Sequence, residues 1–175
     1  MGKKYALSGK IDQFSAMHSV ILLTGGNTGD RLNHLAQARQ RIAADIGPVT
    51  DASALYETAA WGNTGQPPFL NQVLKVETHL SPLDVLQGVL RIETAMGRIR
   101  TEKWGPREID IDILFYDAEI VNSPDLTIPH PEIPNRRFVL EPLAEIAAGL
   151  VHPVLRVDVA TLLARTGDTL EVRKV

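Results

Sequence analysis

Hydrophobic and polar residues alternate most regularly between Ile109 and Phe115. Apolar residues occupy the odd positions of this segment, whereas Asp110 and Asp112 occupy two of the even positions. A period of two predicts a β-strand whose apolar side chains, Phe115 included, share one face, with both carboxylates on the other. Residues two apart on a strand are about 6.6 Å apart at Cα, so both carboxylates could reach one divalent cation or bridge a pair. An exposed strand with solvated acids would alternate in the same way, so the strand alone leaves both interpretations open.

The remaining hydrophobic pattern divides the chain into strands and helices. Apolar residues at helical spacing between turn formers predict helices, and short apolar runs predict strands. The predicted order is strand 19–24, helix 32–46, strand 49–58, strand 71–80, helix 82–96, strand 109–115, helix 138–147 and helix 158–165. Four prolines, at 124, 129, 131 and 134, predict that no regular structure forms between the last strand and the third helix.

This order of elements predicts an α+β fold. Strand, helix, strand, strand, helix, strand is the ferredoxin-like β-α-β-β-α-β plait, an antiparallel sheet with helices packed on it, here with C-terminal additions. We expect its first and last strands to be central neighbours, which would hold Asp110 and Asp112 rigidly. The segment Gly25–Gly29 lacks the lysine and spacing of a P-loop and is interpreted as a plain turn. The segment Gly62–Pro68 predicts a long surface loop, a kind of loop that often carries function.

Composition narrows the class of protein. The chain has 175 residues, of which 44% are hydrophobic, and this length suits one compact domain, expected at residues 17–175. Residues 1–16 lack the apolar stretch of a secretory signal and are expected to be an extension outside the core. The absence of cysteine excludes a disulfide framework, a thiolate metal site and a cysteine nucleophile, and is compatible with the cytoplasmic location that we expect.

Charge points to a small partner. Lysine and arginine total 18 against 21 aspartate and glutamate, so no basic field favours nucleic acid, and we expect no nucleic-acid partner. No apolar run approaches the roughly 20 residues that span a bilayer, so we expect no membrane partner. The segment 98–107 nevertheless carries three arginines and a lysine against one glutamate. Directly before the two aspartates, it predicts an anion trap beside a cation site.

At these residues the chain resembles the 6-hydroxymethyl-7,8-dihydropterin pyrophosphokinase family of folate biosynthesis. The strongest signature comprises Gly97–Arg100 and Lys103–Asp112. The segments Leu55–Thr58, Phe69–Asn71, Leu126–Pro131 and Asn135–Phe138 match the family in the same order, and the likeness runs from about residue 19 to residue 153. The resemblance implies transfer of an intact pyrophosphoryl group from ATP to the hydroxymethyl oxygen of the pterin, with release of AMP. The fold that it implies agrees with the strand order.

The resemblance also implies roles for particular residues. Asp110 and Asp112 resemble the ligands of two Mg²⁺ ions bound with ATP, and the implied catalytic residues are these two with Arg98 and Arg107. The implied ATP contacts are Glu93, Arg98, Arg100, Trp104, Arg107, His130 and Arg136. The implied pterin contacts are Thr58, Trp61, Phe69, Asn71 and Phe138. An aromatic pair suits a flat heterocycle, and the Asn71 amide offers both a donor and an acceptor.

The chain departs from the family pattern at three places. Gly26 stands where the family commonly has serine, Ala59-Ala60 stands where prolines are frequent, and Pro131 follows His130 where an aromatic residue can occur. None of these positions is one of the implied metal ligands. Fewer prolines predict a less preorganised pterin-side loop.

Two other functions remain possible for such a sheet. A nucleotidyl transferase or cyclase would attack the α phosphorus and release pyrophosphate instead of AMP. A non-enzymatic ligand-binding or RNA-binding plait is the second alternative, although the chain lacks an aromatic strand motif for base stacking. We expect a monomer or a weak dimer.

Overall fold

A six-stranded antiparallel sheet carries the predicted strands. The computed structural model describes residues 16–60, 65–97 and 107–175. Its strands are β1 (His18–Gly26), β2 (Val49–Ala52), β3 (Tyr56–Thr58), β4 (Phe69–Thr78), β5 (Asp110–Tyr116), β6 (Val121–Asn122), β7 (Thr127–Ile128) and β8 (Val172–Lys174). Its helices are α1 (Arg31–Asp45), α2 (Pro82–Ala95), α3 (Arg137–Ala147) and α4 (Val159–Arg165). The predicted ferredoxin-like α+β class is confirmed.

The order of strands corrects the expected position of β5. The main sheet runs β5-β1-β4-β3-β8, with β2 also paired to β4. The first and last strands of the plait are therefore neighbours, as expected, but within the described residues β5 pairs with β1 alone and lies at an edge. The expectation of a central β5 was wrong. The central strand is β1, which lies between β5 and β4. The edge position leaves one side of β5 open to a cleft.

The strict alternation of β5 is interrupted near its end. Ile21 lies opposite Phe115 but Leu22 lies opposite Ile113, so Leu114 is an extra residue, a β-bulge. The bulge turns Phe115 to the opposite face of the sheet from Ile111 and Ile113, and the predicted common face was wrong for Phe115. Asp110 and Asp112 precede the bulge and keep the alternation.

Helices cover both faces of the sheet. One core packs α1 and α2 against Val20, Leu22 and Leu74, and the other packs α3 and α4 against Ile21 and Val73. Side chains of Asp30, Ser81 and Asp158 accept backbone N–H groups at the first turns of α1, α2 and α4. No helix within the described ranges is both long and apolar enough to cross a membrane.

Three parts of the chain differ from their predicted local structure. The strand predicted over 49–58 is two strands, β2 and β3, both paired with β4. The proline-rich segment was predicted to be irregular, but it forms the short hairpin β6–β7 and a 3₁₀ helix at Ile133–Asn135. Its prolines permit both, because they lie in the hairpin turn, after β7 and inside the 3₁₀ helix. Strand β8 has no sequence signal of its own and extends the sheet beside β3.

The end of β1 lies very close to the chain that enters β5. A Cβ atom added to Gly26 would be 2.2 Å from the carbonyl oxygen of Glu108 and 3.4 Å from that of Arg107. This spacing leaves no room for the Cβ of the serine that the resemblance leads us to expect. The Asn27 N–H donates to the Arg107 carbonyl oxygen at 3.0 Å, and this bond holds the two segments together.

Substitution of Gly26 should therefore lower stability. We expect Gly26→Ala to reduce the free energy of unfolding by about 1–3 kcal/mol, because the new methyl group overlaps backbone that must move. Gly149→Ala is the matched control, since a Cβ at Gly149 meets nothing within 4 Å. Urea denaturation measures both variants, and equal midpoints for Gly26→Ala and wild type would contradict the close approach.

Candidate active site

Asp110 and Asp112 form a wall shared by two clefts. The first cleft contains, besides these carboxylates, Leu23, Gly25, Thr58, Ala59, Ala60, Gln66, Phe69, Asn71, Arg107, Arg136 and Phe138. The second cleft contains, besides the same carboxylates, Leu86, Val89, Leu90, Glu93, Ile111, Ile113, Asp125, Leu126, Thr127, His130 and Pro131. A ligand in either cleft would therefore face the same pair of acids.

The first cleft has the features of a site for a flat polar ring. Thr58, Phe69, Asn71 and Phe138, four of the five predicted pterin contacts, all line it. The Asn71 Nδ2 donates to the Thr58 Oγ1 at 3.1 Å, and both residues are buried. The guanidinium carbon of Arg136 lies 5.8 Å from the centre of the Phe138 ring. Trp61, the fifth predicted contact, lies outside the described residues.

The second cleft joins apolar side chains to predicted ATP contacts. Glu93 is 3% exposed, and its Oε1 accepts the backbone N–H of Ile111 at 2.8 Å. This bond fixes the backbone between the two aspartates from the side of α2. His130 lines the same cleft, and its Nδ1 accepts the Glu132 N–H at 3.2 Å, so the ring proton lies on Nε2.

Arginines surround the aspartates on the side of the first cleft. The Arg107 guanidinium donates to the Asp110 carboxylate, and Arg136 lines the same cleft. Arg98, Arg100 and Trp104 lie outside the described residues, so their predicted roles stay predictions. The structure thus brings together Glu93, Arg107, His130 and Arg136 from four separate parts of the chain around the two acids.

The acids lie where negative charge is poorly compensated. Burial and then the neighbouring Asp110 carboxylate raise the pKa of Asp112 to about 7, while Arg136 and Arg107 oppose the shift. Burial and then Arg136 lower the pKa of His130, so its imidazole is neutral at pH 7. Hard divalent cations prefer carboxylate oxygens, and a bound cation would supply the missing positive charge. The donor set therefore fits Mg²⁺.

Sequence reasoning missed two residues at the site. Asn27 belongs to a segment interpreted as a plain turn, yet it is buried and bonded to Gln66 and Arg107. Gln66 belongs to the loop 62–68 and lines the first cleft. The signal in the sequence was an asparagine directly after two glycines. Its burial could not be predicted, because its partners are 39 and 80 residues away.

Comparison with known proteins supplies the family. The family described as 7,8-dihydro-6-hydroxymethylpterin-pyrophosphokinase (HPPK) matches residues 21–148. A curated 2-amino-4-hydroxy-6-hydroxymethyldihydropteridine pyrophosphokinase from Aquifex aeolicus is 40% identical over 140 residues, which cover 80% of this chain and 87% of that protein. A protein of the same name from Methylorubrum extorquens is 46% identical over 128 residues, which cover 73% of this chain and 81% of that protein.

Solved structures agree at the level of the fold. The HPPK-DHPS protein of Plasmodium falciparum, as a triple mutant, superimposes with a TM-score of 0.72 at 17% identity. The match covers 88% of this chain and 45% of that chain, so this chain spans less than half the length of the solved protein.

Cation binding should depend on the protonation of Asp112. With the pKa of its carboxyl at about 7, the group is protonated below that pH and must lose its proton to bind Mg²⁺. We expect the affinity for Mg²⁺, measured by calorimetry without nucleotide, to be roughly tenfold higher at pH 8 than at pH 6. An affinity equal at both pH values would contradict the assignment of Asp112 as a ligand.

The same carboxylate should cost stability when no cation is present. Its pKa is raised above the ordinary value, so the folded protein favours the protonated carboxyl. The stabilisation by this protonated form is present at low pH and is lost as pH rises through about 7. We expect Asp112→Asn to raise Tm by at least about 2 °C at pH 8 without divalent cations, and to raise it less at pH 5. Glu171→Gln, at an exposed position outside the helices, is the control and should leave Tm unchanged. A lower Tm for Asp112→Asn at pH 8 would show that the carboxylate is compensated within the protein.

Proposed function

The chain belongs to the 7,8-dihydro-6-hydroxymethylpterin-pyrophosphokinase family, and we propose that its reaction takes place at the wall formed by Asp110 and Asp112. The enzyme is an ATP-dependent diphosphokinase that transfers pyrophosphate from ATP to the hydroxymethyl group of the dihydropterin in folate biosynthesis. The observation that carries the proposal is the presence of two different clefts on the two sides of one acidic pair. Two substrates bound in them would meet at these acids.

The first cleft takes the pterin. Phe69 and Phe138 supply aromatic surface for the flat ring, and this is supported by their place in the same cleft as the aspartates. Asn71 reads the amide edge of the ring through its side-chain oxygen and its second Nδ2–H, since Thr58 accepts only one of the two Nδ2 hydrogens. Thr58 therefore orients the amide, and Trp61 remains a predicted contact.

The second cleft takes the nucleotide. Its apolar residues suit a nucleobase, and the neutral His130 offers its Nε2–H to a phosphate oxygen. Glu93 positions the metal ligands by holding the Ile111 N–H between them, which is a more specific role than the nucleotide contact predicted from the sequence. Arg98, Arg100 and Trp104 remain predicted nucleotide contacts.

The reaction needs positioning and charge compensation, without a covalent enzyme intermediate. The hydroxymethyl oxygen forms a bond to the β phosphorus and loses its proton, while the bond from the β phosphorus to the α–β bridging oxygen breaks and AMP leaves. Arg107 and Arg136 compensate negative charge that moves onto the bridging oxygen. Asp110 and Asp112 would hold Mg²⁺, which would supply further positive charge to the phosphates.

Finer features belong to the same proposal. Two Mg²⁺ ions are proposed to bind with ATP, and Asp110 and Asp112 would hold them. Residues 17–175 form one pyrophosphokinase domain, which acts as a monomer or weak dimer in the cytoplasm. The family match argues against a non-enzymatic plait, and the products separate the proposed reaction from nucleotidyl transfer.

Product analysis tests the reaction directly. With ATP, Mg²⁺ and 6-hydroxymethyl-7,8-dihydropterin, we expect AMP and the pterin diphosphate in equal amounts and no free pyrophosphate, measured by ³¹P NMR. Asp112→Asn should lower turnover by several orders of magnitude because the acidic pair is lost, whereas Glu171→Gln should not. Release of pyrophosphate, or near-normal turnover of Asp112→Asn, would contradict the proposal.

A further inference from the structure

The segment that follows α4 lies outside the family match, yet it contacts two walls of the first cleft. The match ends at residue 148, whereas this segment begins after Arg165 and includes β8. Asp168 bonds to the start of α3, and β8 pairs with β3. Both α3 and β3 contribute residues to the lining of the first cleft. Residues beyond the family match therefore border a site whose predicted residues lie within the match.

Asp168 holds the backbone between two residues of the first cleft. Its Oδ2 accepts the Arg137 N–H at 2.8 Å, and Arg136 and Phe138 on either side both line the cleft. The first N–H groups of a helix have no acceptor within the helix, and a carboxylate there is favourable. Arg136, the N-cap residue of α3, has a guanidinium that can only donate, so Asp168 supplies the acceptor from 31 residues away. This bond fixes the backbone from which the Phe138 ring extends.

Asp168 uses its two carboxylate oxygens for two different parts of the chain. While Oδ2 bonds to α3, its Oδ1 accepts the Leu170 N–H at 3.0 Å. Its own N–H donates to the Thr166 Oγ1 at 3.3 Å. An alanine at this position would lose both acceptors, whereas an asparagine would keep one acceptor oxygen. The side chain therefore joins its own segment to the start of α3.

The segment that carries Asp168 is fixed at both ends. Before it, Val159 and Leu162 of α4 are buried in the core that contains α3. After it, β8 pairs with β3, and the Arg173 Nη2 donates to the Glu57 Oε1 at 2.6 Å. The residue after Glu57 is Thr58, which lines the first cleft. Asp168 is thus an acceptor whose position is set by the folded core and by the sheet.

We propose that Asp168 is a positioning residue for the pterin: it holds the Arg137 N–H so that Phe138 presents its ring to the first cleft. The inference rests on the proposed function, in which that cleft takes the pterin. A ring surface that is already in place binds without a further cost of ordering, so loss of the bond weakens pterin binding. Nucleotide binding is affected less, because the described lining of the second cleft does not include residues 136–138.

Calorimetry on the wild type and on Asp168→Ala tests the inference. The Kd of 6-hydroxymethyl-7,8-dihydropterin is measured with saturating Mg²⁺ and α,β-methylene-ATP, whose carbon bridge prevents transfer. The Kd of this nucleotide is measured with Mg²⁺ and without pterin. We expect the pterin Kd to rise at least about fivefold in Asp168→Ala, as for the loss of one capping bond, and the nucleotide Kd to change less than about twofold.

Two further variants make the test specific. Glu171→Ala removes an exposed acid of the same segment, and this matched control should keep both Kd values. Asp168→Asn keeps an oxygen that can accept the Arg137 N–H, so its pterin Kd should rise less than that of Asp168→Ala. If Asp168→Ala does not fold, Asp168→Asn carries the test, and we expect its pterin Kd to rise at least about twofold because one acceptor and the charge are lost.

The outcomes separate this inference from the proposed function. A wild-type protein that binds neither ligand contradicts the proposed function. A wild type that binds both ligands, with a pterin Kd that is unchanged in the Asp168 variants, overturns the inference alone. Equal weakening of pterin and nucleotide binding in these variants also overturns it, because a purely structural role would affect both clefts alike.

Discussion

The organisation of the site depends on the close placement of two partly buried carboxylates that are held two residues apart on one strand. Asp110 and Asp112 share a face of β5, and burial together with their mutual repulsion raises the pKa of Asp112 to about 7. Such a pair is unfavourable until positive charge is added, and the nearby arginines compensate only part of its negative charge. The protein thus keeps an arrangement that costs stability in the absence of cation, which is typical of sites selected for function.

The fold keeps this pair accessible and fixed at the same time. At the edge of the sheet, no described strand pairs with the outer side of β5, and its two acids line two clefts. Three contacts replace the rigidity of a central strand: pairing with β1, the Glu93 bond to the Ile111 N–H, and the bonds from Asn27 to Arg107. Two substrates in these clefts could then approach Asp110 and Asp112 from opposite sides. Transfer between the two substrates needs this geometry.

Sequence patterns predicted most of the fold and located the strand that carries the two acids, for identifiable reasons. Strong alternation located β5 and its acids, and helical spacing located α1 to α4, because both patterns are local. The bulge at Leu114, the division of 49–58 into β2 and β3, and the edge position of β5 depend on register with neighbouring strands, which a local pattern does not contain. Asn27 was missed for the same reason: its role is set by partners distant in sequence. The roles predicted for Trp61, Arg98, Arg100 and Trp104 stay predictions.

The central claim is that both aspartates together hold the cations that bind with ATP, between the two substrates. A crystal structure of the wild-type protein with Mn²⁺, α,β-methylene-ATP and the dihydropterin tests it most directly, since the anomalous signal of manganese locates the ions. The account predicts manganese bonded to an oxygen of Asp110 and an oxygen of Asp112, with the pterin in the first cleft and the nucleotide in the second. Manganese bound to the phosphates alone, with either carboxylate turned away, would contradict it.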